Sequence, residues 1–126
     1  MKEGKEMETP KQATLIGLGT SDAAIVANAL QAKGWKVSLA IKVSHAKPAA
    51  DGLGIIVLYI PDAKSIGNLG LVKEALPNYP VIAILGKGTD RSMFDSCRQA
   101  GVNNIIKEPY HPKVLLRRLN KAVRLK

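Results

Sequence analysis

Cysteine and aromatic residues are scarce in this 126-residue chain, which contains one Cys, one Trp, one Phe and three Tyr. A single cysteine, Cys97, excludes an internal disulfide, so nothing in the composition indicates an oxidising compartment. No apolar run approaches the roughly 18 residues of a transmembrane helix, and the N-terminus lacks the apolar core of a signal peptide. The sequence therefore predicts a cytoplasmic protein that does not insert into a membrane.

Acidic residues are also in the minority, and the formal net charge is +9. The lysines and glutamates of residues 1–11 cancel, so the whole excess lies from Gln12 onward. A basic domain indicates acidic protein surfaces or polyanions as partners and carries no information about the fold. Charge alone therefore leaves both protein and nucleic acid as candidate partners.

The domain organisation follows from where the apolar residues lie. Residues 1–11 are polar, charged and interrupted by Pro10, so we expect a disordered tail followed by one domain over residues 12–126. In that domain, runs of Val, Ile, Leu and Ala alternate with helical segments, which is typical of βα units around a parallel sheet. The predicted strands are 13–18, 35–41, 54–60, 81–85 and 104–107; the predicted helices are 21–33, 62–76, 90–100 and 111–126.

Local signals predict where these helices begin and end. Ser21 or Asp22 should cap the first helix, and Gly34 should end it. Pro112 should occupy the first position of the last helix, where its missing N–H costs nothing. Between residues 43 and 54, Pro48 and two glycines oppose a full helix. The helix after the second strand should therefore be short or irregular.

Three motifs carry a resemblance to a known family. They are Gly34-Trp-Lys-Val37, Pro80-Val-Ile-Ala-Ile-Leu-Gly86 and Gln99-Ala-Gly-Val-Asn-Asn-Ile-Ile-Lys-Glu-Pro-Tyr110, followed by an amphipathic helix. In this order and spacing, they resemble the receiver domain of response regulators over residues 13–126. The resemblance implies a flavodoxin-like α/β fold with a doubly wound, five-stranded parallel sheet in the order 2-1-3-4-5. It also implies a cis peptide bond before Pro109, because receivers typically carry one there.

Receiver chemistry requires an acidic pair after the first strand, an Asp at the end of the third, a Thr or Ser after the fourth and a Lys after the fifth. These groups bind Mg²⁺, accept the phosphoryl group and hold its oxygens. The acidic pair corresponds here to Gly17 and Leu18, or to Gly19 and Thr20 under a small register shift. The other three positions correspond to Tyr59, Leu85 and Glu108. Asp62 follows Pro61 and is better placed as a helix cap than as the acceptor. The resemblance thus implies a degenerate phosphoacceptor pocket, with no metal, no cofactor and no enzymatic activity.

The loop from Gly17 to Asp22 leaves an alternative open. A glycine-rich turn between a strand and a helix can hold an anion on its amides. Here the third glycine of a dinucleotide motif is missing, and a tight turn followed by a helix cap is the favoured explanation of the loop. A small anion in the residual pocket, with Lys87 nearby, remains an alternative function.

The last helix is rich in positive charge. In receiver domains, the usual dimer and output face comprises the helix, strand and helix that correspond here to 90–100, 104–107 and 111–126, which we call the C-terminal face. Its candidate partner-binding residues are Arg91, Arg98, Tyr110, Lys113, Arg117, Arg118, Lys121 and Arg124. The resemblance implies a phosphorylation-independent pseudo-receiver that binds a protein here, either a partner or a second copy in a homodimer. Nucleic acid bound by the basic helix is the alternative, although that helix lacks aromatic residues for base stacking.

Overall fold

Long apolar runs form the middle of the sheet in the computed structural model of this protein, which describes residues 12–46, 54–77, 79–102 and 104–124. The predicted tail, residues 1–11, and residues 47–53 of the predicted irregular stretch lie outside the described residues. The run Gly54–Ile60 is buried along almost its whole length, as expected for a strand covered on both faces.

Five parallel strands form one sheet in the order β2-β1-β3-β4-β5, which confirms the predicted fold class. The strands are β1 Gln12–Ile16, β2 Lys36–Ala40, β3 Gly54–Ile60, β4 Val81–Leu85 and β5 Asn104–Lys107. The predicted bounds of β3, β4 and β5 are confirmed to the residue. The predicted β1 and β2 are each longer than the strands of the structure, because the sheet pairing ends before the last apolar residues of both runs.

Within the described residues, four α-helices flank the sheet: α1 Thr20–Gln31, α2 Gly67–Ala75, α3 Arg91–Gln99 and α4 Pro112–Arg124. A 3₁₀ turn at Ala63–Ile66 leads into α2, and another at Val43–His45 follows β2. After β2, the described residues thus contain one short turn instead of a full helix, in agreement with the prediction. None of the helices in the described residues is long and apolar enough to cross a membrane.

The start of α1 differs from the prediction. Its N-cap is Gly19, which has no side chain to cap the helix, and the helix begins at Thr20. Ser21 and Asp22 therefore lie inside the first turn, and the prediction that either caps α1 is wrong. At the other end, Gly34 adopts φ +89°, where glycine is favoured, and it ends the helix as predicted.

Other helix starts follow the sequence signals. Asp62 Oδ1 accepts a hydrogen bond from the backbone N–H of Ser65 at 3.1 Å, so Asp62 is a cap as predicted. Pro112 occupies the first position of α4. The imidazole of His111 accepts a hydrogen bond at Nδ1 from the backbone N–H of Lys113 at 3.1 Å, which satisfies one free amide at the start of α4.

Alternation along the strands creates two apolar layers, one on each face of the sheet. On one face, Ile55 and Val57 of β3 pack with residues of α1 and α4, including Leu30 and Leu115. On the other, Ile56 and Leu58 pack with residues of α2 and α3. Successive residues of β3 and β5 therefore alternate between the two layers, one formed with α1 and α4 and the other with α2 and α3.

Candidate functional site

Tyr59 and Glu108, two of the residues predicted to form the degenerate phosphoacceptor pocket, form a direct hydrogen bond. Tyr59 Oη donates to Glu108 Oε1 at 2.7 Å. Tyr59 shares the α1 and α4 side of the sheet with Ile55 and Val57. Its side chain is long enough to cross β4, which separates it from Glu108 by two strand spacings, or about 10 Å. A phenol and a carboxylate are thus hydrogen-bonded to each other at the two positions that the sequence predicts to correspond to the receiver acceptor Asp and Lys.

The other residues of the predicted pocket do not all join this pair. Gly17 adopts φ +86°, and its Cα lies so close to Tyr59 that an added Cβ would be 3.5 Å from the Tyr59 carbonyl oxygen. Leu18 is half-buried against the α1 and α4 layer. Leu85 is buried on the opposite face of the sheet with residues of α3. The structure therefore brings Tyr59, Glu108 and the Gly17 backbone together and places Leu85 elsewhere.

Gly86, which follows β4, supports this edge of the sheet through a close backbone approach. Its N–H donates to the carbonyl oxygen of Ile60 at 2.9 Å, and an added Cβ would be 2.6 Å from the carbonyl oxygen of Pro61. The Thr89 hydroxyl donates to the Gly86 carbonyl oxygen at 2.7 Å. The Thr89 hydroxyl is therefore engaged in holding a turn of this loop.

Tyr110 lies beside the Tyr59–Glu108 pair and not among the arginines of the C-terminal face. It lines a cavity of about 260 Å³ between α1 and the loop from β5 to α4, together with Asp22 and Glu108. Asp22 was not predicted as a site residue. The carboxyl ends of parallel strands meet at one edge of a sheet. The first turn of α1 follows β1 at the same edge where β5 ends. Asp22, in that turn, could have been identified from the sequence by this rule.

Both tyrosines stay protonated well above neutral pH. Burial first, then the hydrogen bond to Glu108 and the charges of Glu108 and Asp22, raise the pKa of Tyr59 to about 12. Burial first, then the charges of Asp22 and Glu108, raise the pKa of Tyr110 to about 12. A phenolate would add a negative charge beside two carboxylates in a partly desolvated place, so the neutral phenol is favoured. The same two carboxylates disfavour a bound anion, and Lys87 does not line this cavity.

The outer side of α4 is positively charged, in contrast to the carboxylates of the cavity beside α1. Lys113, Arg117 and Lys121 are exposed, and their spacing of four residues places them in one row along the helix. We call these three residues the cationic row. Arg118 is half-buried instead, and its Nη1 donates to Asn104 Oδ1 at 3.0 Å and to the Ile105 carbonyl oxygen at 3.3 Å. Arg118 therefore fastens α4 to β5, while the side chain of Arg124 lies outside the described residues.

A second cavity, of about 400 Å³, lies between α3 and β5. Its lining residues are Leu85, Asp90, Arg91, Phe94, Asp95, Arg98 and Lys107. The guanidinium of Arg98 lies 6.0 Å from the centre of the Phe94 ring, at the limit of a cation–π contact. Because Asp90 and Asp95 lie among the arginines, this part of the C-terminal face has mixed charge and does not simply extend the positive field of α4.

Metal-ligating side chains do not cluster in the described part of the chain. Among these residues, no three His, Cys, Asp or Glu side chains are close enough together to hold a metal ion. Cys97 is buried, and burial raises the pKa of its thiol, which keeps it in the unreactive form. The geometry described above supports binding, through two cavities and one charged row.

Solved structures with the same architecture are receiver domains. A CheY-like receiver domain protein from Methanospirillum hungatei JF-1 superposes with a TM-score of 0.73 at 16% identity, over 92% of this chain and 95% of the other. The HemR receiver domain from Leptospira biflexa gives 0.73 at 17% identity, over 92% and 96%. The beryllofluoride-activated NtrC4 receiver domain dimer gives 0.70 at 15% identity, over 90% and 96%.

The fold is that of response-regulator receiver domains. No protein-family model matches the sequence, and no curated protein matches it. Identities this low establish the receiver fold, and the function has to be argued from the residues of the site. The Glu108–Pro109 peptide bond is cis, as the resemblance implied.

Proposed function

We propose that this receiver-fold domain is a regulatory module of two-component type that works without aspartyl phosphorylation and binds a partner protein through its C-terminal face. The observation that carries the first half is the 2.7 Å hydrogen bond between Tyr59 and Glu108. The carboxylate of a phosphorylatable receiver ends the third strand, where this chain has a phenol. A cation that would neutralise the phosphoryl oxygens is replaced by Glu108, which would repel them. The module acts by binding, in the cytoplasm, and not by catalysis.

Incubation with acetyl phosphate, or with beryllofluoride and Mg²⁺, tests the loss of phosphorylation. The intact mass and the amide NMR spectrum should both stay unchanged, while a receiver domain with a complete acceptor site responds in parallel. Asp62 is the carboxylate nearest in sequence to the acceptor position. A stoichiometric mass increase that disappears in Asp62→Asn would show that the domain is phosphorylated after all.

The C-terminal face supports the second half of the proposal. The cavity between α3 and β5 offers the apolar side chains of Leu85 and Phe94 below a rim of charged groups. The cationic row on α4 is exposed, and none of its side chains has a hydrogen bond or an ion pair to another described residue. Interfaces are strongest where an aromatic or apolar anchor enters such a pocket and charges at the rim steer the approach. An acidic protein surface with one projecting apolar side chain fits this description.

Charge reversal tests the partner. The variant Lys113→Glu, Arg117→Glu, Lys121→Glu should lose one specific complex in affinity purification from the source cell, before and after nuclease treatment. The matched control Lys33→Glu, Lys36→Glu, Lys64→Glu changes exposed lysines elsewhere by the same total charge and should keep the complex. A complex removed by nuclease, with affinity that falls steeply with salt, would identify nucleic acid as the partner instead. Retention of every partner by the first variant would contradict both readings.

A second copy of this chain is the remaining protein partner, since the NtrC4 receiver domain of similar fold is a dimer. Sedimentation velocity distinguishes this case. A dimer that dissociates in the variant of the cationic row, and not in the control, would assign the C-terminal face to self-association.

A further inference from the structure

The cavity between α1 and the loop from β5 to α4 has the chemistry of a binding site that is separate from the C-terminal face. It encloses about 260 Å³ and is lined by Asp22, Ile25, Val26, Glu108, Pro109, Tyr110 and Pro112. Its volume is below the roughly 300 Å³ at which drug-sized ligand pockets begin, so it suits a group the size of one side chain.

The polar groups of the cavity are negative or neutral. Asp22 and Glu108 supply two carboxylates, although acids are the minority in a chain of net charge +9. Among the described residues that line the cavity, none is basic. Glu108 is oriented by Tyr59, which bonds Oε1 and leaves Oε2 without a hydrogen bond to any described residue. The raised pKa values of Tyr59 and Tyr110 have the charge of both carboxylates among their causes.

The remaining lining suits a short alkyl chain. Ile25, Val26, Pro109 and Pro112 form apolar walls, and Tyr110 adds an aromatic ring. A cation attached to carbon gains from both kinds of surface, because its charge meets the carboxylates and its methylene groups cover the apolar walls. A bare divalent cation gains little, because two carboxylates fall short of the oxygen cage that such an ion requires.

We propose that this cavity binds an organic cation, an alkylammonium or alkylguanidinium group, between the carboxylates of Asp22 and Glu108. The group is either a free amine or the side chain of a Lys or Arg on another protein. The two sources share the same head group and differ in whether a peptide backbone must fit at the mouth of the cavity.

Amide NMR titration of the full chain tests this proposal. The probes are n-butylammonium and n-butylguanidinium chloride, with n-butanol as a neutral probe of equal length and sodium chloride at matched ionic strength. Both cations should shift the amides of Ile25, Val26 and Tyr110 in a saturable way, and n-butanol should not. Glu108→Gln keeps an acceptor for Tyr59, and Asp22→Asn changes an exposed group, so both variants should fold. Each should weaken binding roughly fivefold, the effect of one partly exposed ion pair.

A control and a pair of peptide-like probes complete the test. Glu74→Gln removes an exposed carboxylate on α2, away from the cavity, and should leave binding unchanged. If N-acetyl-arginine amide binds at least as well as n-butylguanidinium, the source is a side chain of a protein; weaker binding indicates a free amine. Equal response to n-butanol, no saturable shift at all, affinity unchanged in both Glu108→Gln and Asp22→Asn, or a stronger response of the same amides to MgCl₂ would overturn the proposal.

Discussion

The two sides of the last βα unit differ in charge and in how firmly their side chains are held. On the side toward α1, Glu108 is bonded to Tyr59 and lies in a partly enclosed cavity with Asp22. On the outer side of α4, the cationic row is exposed and has no described tie to the fold. Receiver chemistry would require positive charge on the side toward α1, whereas none of the described residues that line the cavity there is basic. This contrast supports the proposal that a partner is recognised on the surface and not through a phosphoryl group.

Neighbouring arginines of α4 show that charge in a sequence does not reveal its role. Arg117 is exposed, whereas Arg118 bonds Asn104 and the Ile105 carbonyl. Both belong to the same run of positive residues, and both are candidate partner-binding residues by sequence. Only Arg117 is exposed to a partner. The cationic row therefore contains fewer residues than the number of basic residues in α4 suggests.

The largest change in the free energy of unfolding is expected at Gly86, at the edge of the sheet where the carboxyl ends of the strands meet. Gly86→Ala would drive a Cβ into the Pro61 backbone and should lower the free energy of unfolding by about 1–3 kcal/mol. Gly88→Ala is the matched control, because nothing lies within 4 Å of its added Cβ. Urea denaturation with an unchanged m-value measures the difference. Equal stability of the two variants would show that the close approach of Gly86 to the Pro61 backbone does not constrain the fold.

The next effect separates the two arginines. Arg118→Ala removes two hydrogen bonds from a charged, half-buried group and should cost about 1–2 kcal/mol of unfolding free energy. Arg117→Ala should change it by less than about 0.5 kcal/mol, as exposed substitutions usually do. Thermal and urea unfolding of both variants are the measurement. A larger loss in Arg117→Ala would reverse the assignment of the two side chains.

A smaller loss is expected at the pocket. Tyr59→Phe deletes the hydroxyl that bonds Glu108 and should destabilise the domain by about 0.5–1.5 kcal/mol, because the carboxylate oxygen loses its donor in a half-buried place. Glu108→Gln retains an acceptor and should cost less. Urea unfolding ranks the two, and a larger loss in Glu108→Gln would mean that the negative charge, not the hydrogen bond, stabilises the pair.

The smallest effect is expected on the pKa values of the two half-buried tyrosines, Tyr59 and Tyr110. The pKa of about 12 for both Tyr59 and Tyr110 lies above the ordinary value of 10.0. A raised pKa in the folded state contributes stability that is fully present below pH 10 and is lost as the pH rises toward about 12. Phenolate absorbance during an alkaline titration should therefore show two tyrosines that ionise only as the pH approaches about 12. Asp22→Asn should shift Tyr110 slightly downward, and an unchanged midpoint would remove Asp22 from the cavity's electrostatics.

How much of the fold could be predicted varies with burial. β3, β4 and β5 match their predicted bounds because their apolar runs are buried and end at turn residues. The start of α1 was predicted wrongly because Ser21 and Asp22 are good caps in isolation, whereas the chain enters the helix one residue earlier, through Gly19. Local preference decides a cap only when the neighbouring strand and turn leave the choice open.

By itself, the sequence determined the order of strands and helices, the presence of a phenol near the end of β3 and the excess of positive charge on α4. Each of these depends on residue type at a known place in the chain. Only the tertiary structure decided that Tyr59 bonds Glu108, that Asp22 and Tyr110 share a cavity with Glu108, and that Arg118 is hydrogen-bonded to β5. These contacts join residues that lie far apart in the chain. They form because parallel strands bring their carboxyl ends to one edge, and because alternation along each strand decides which face a side chain meets.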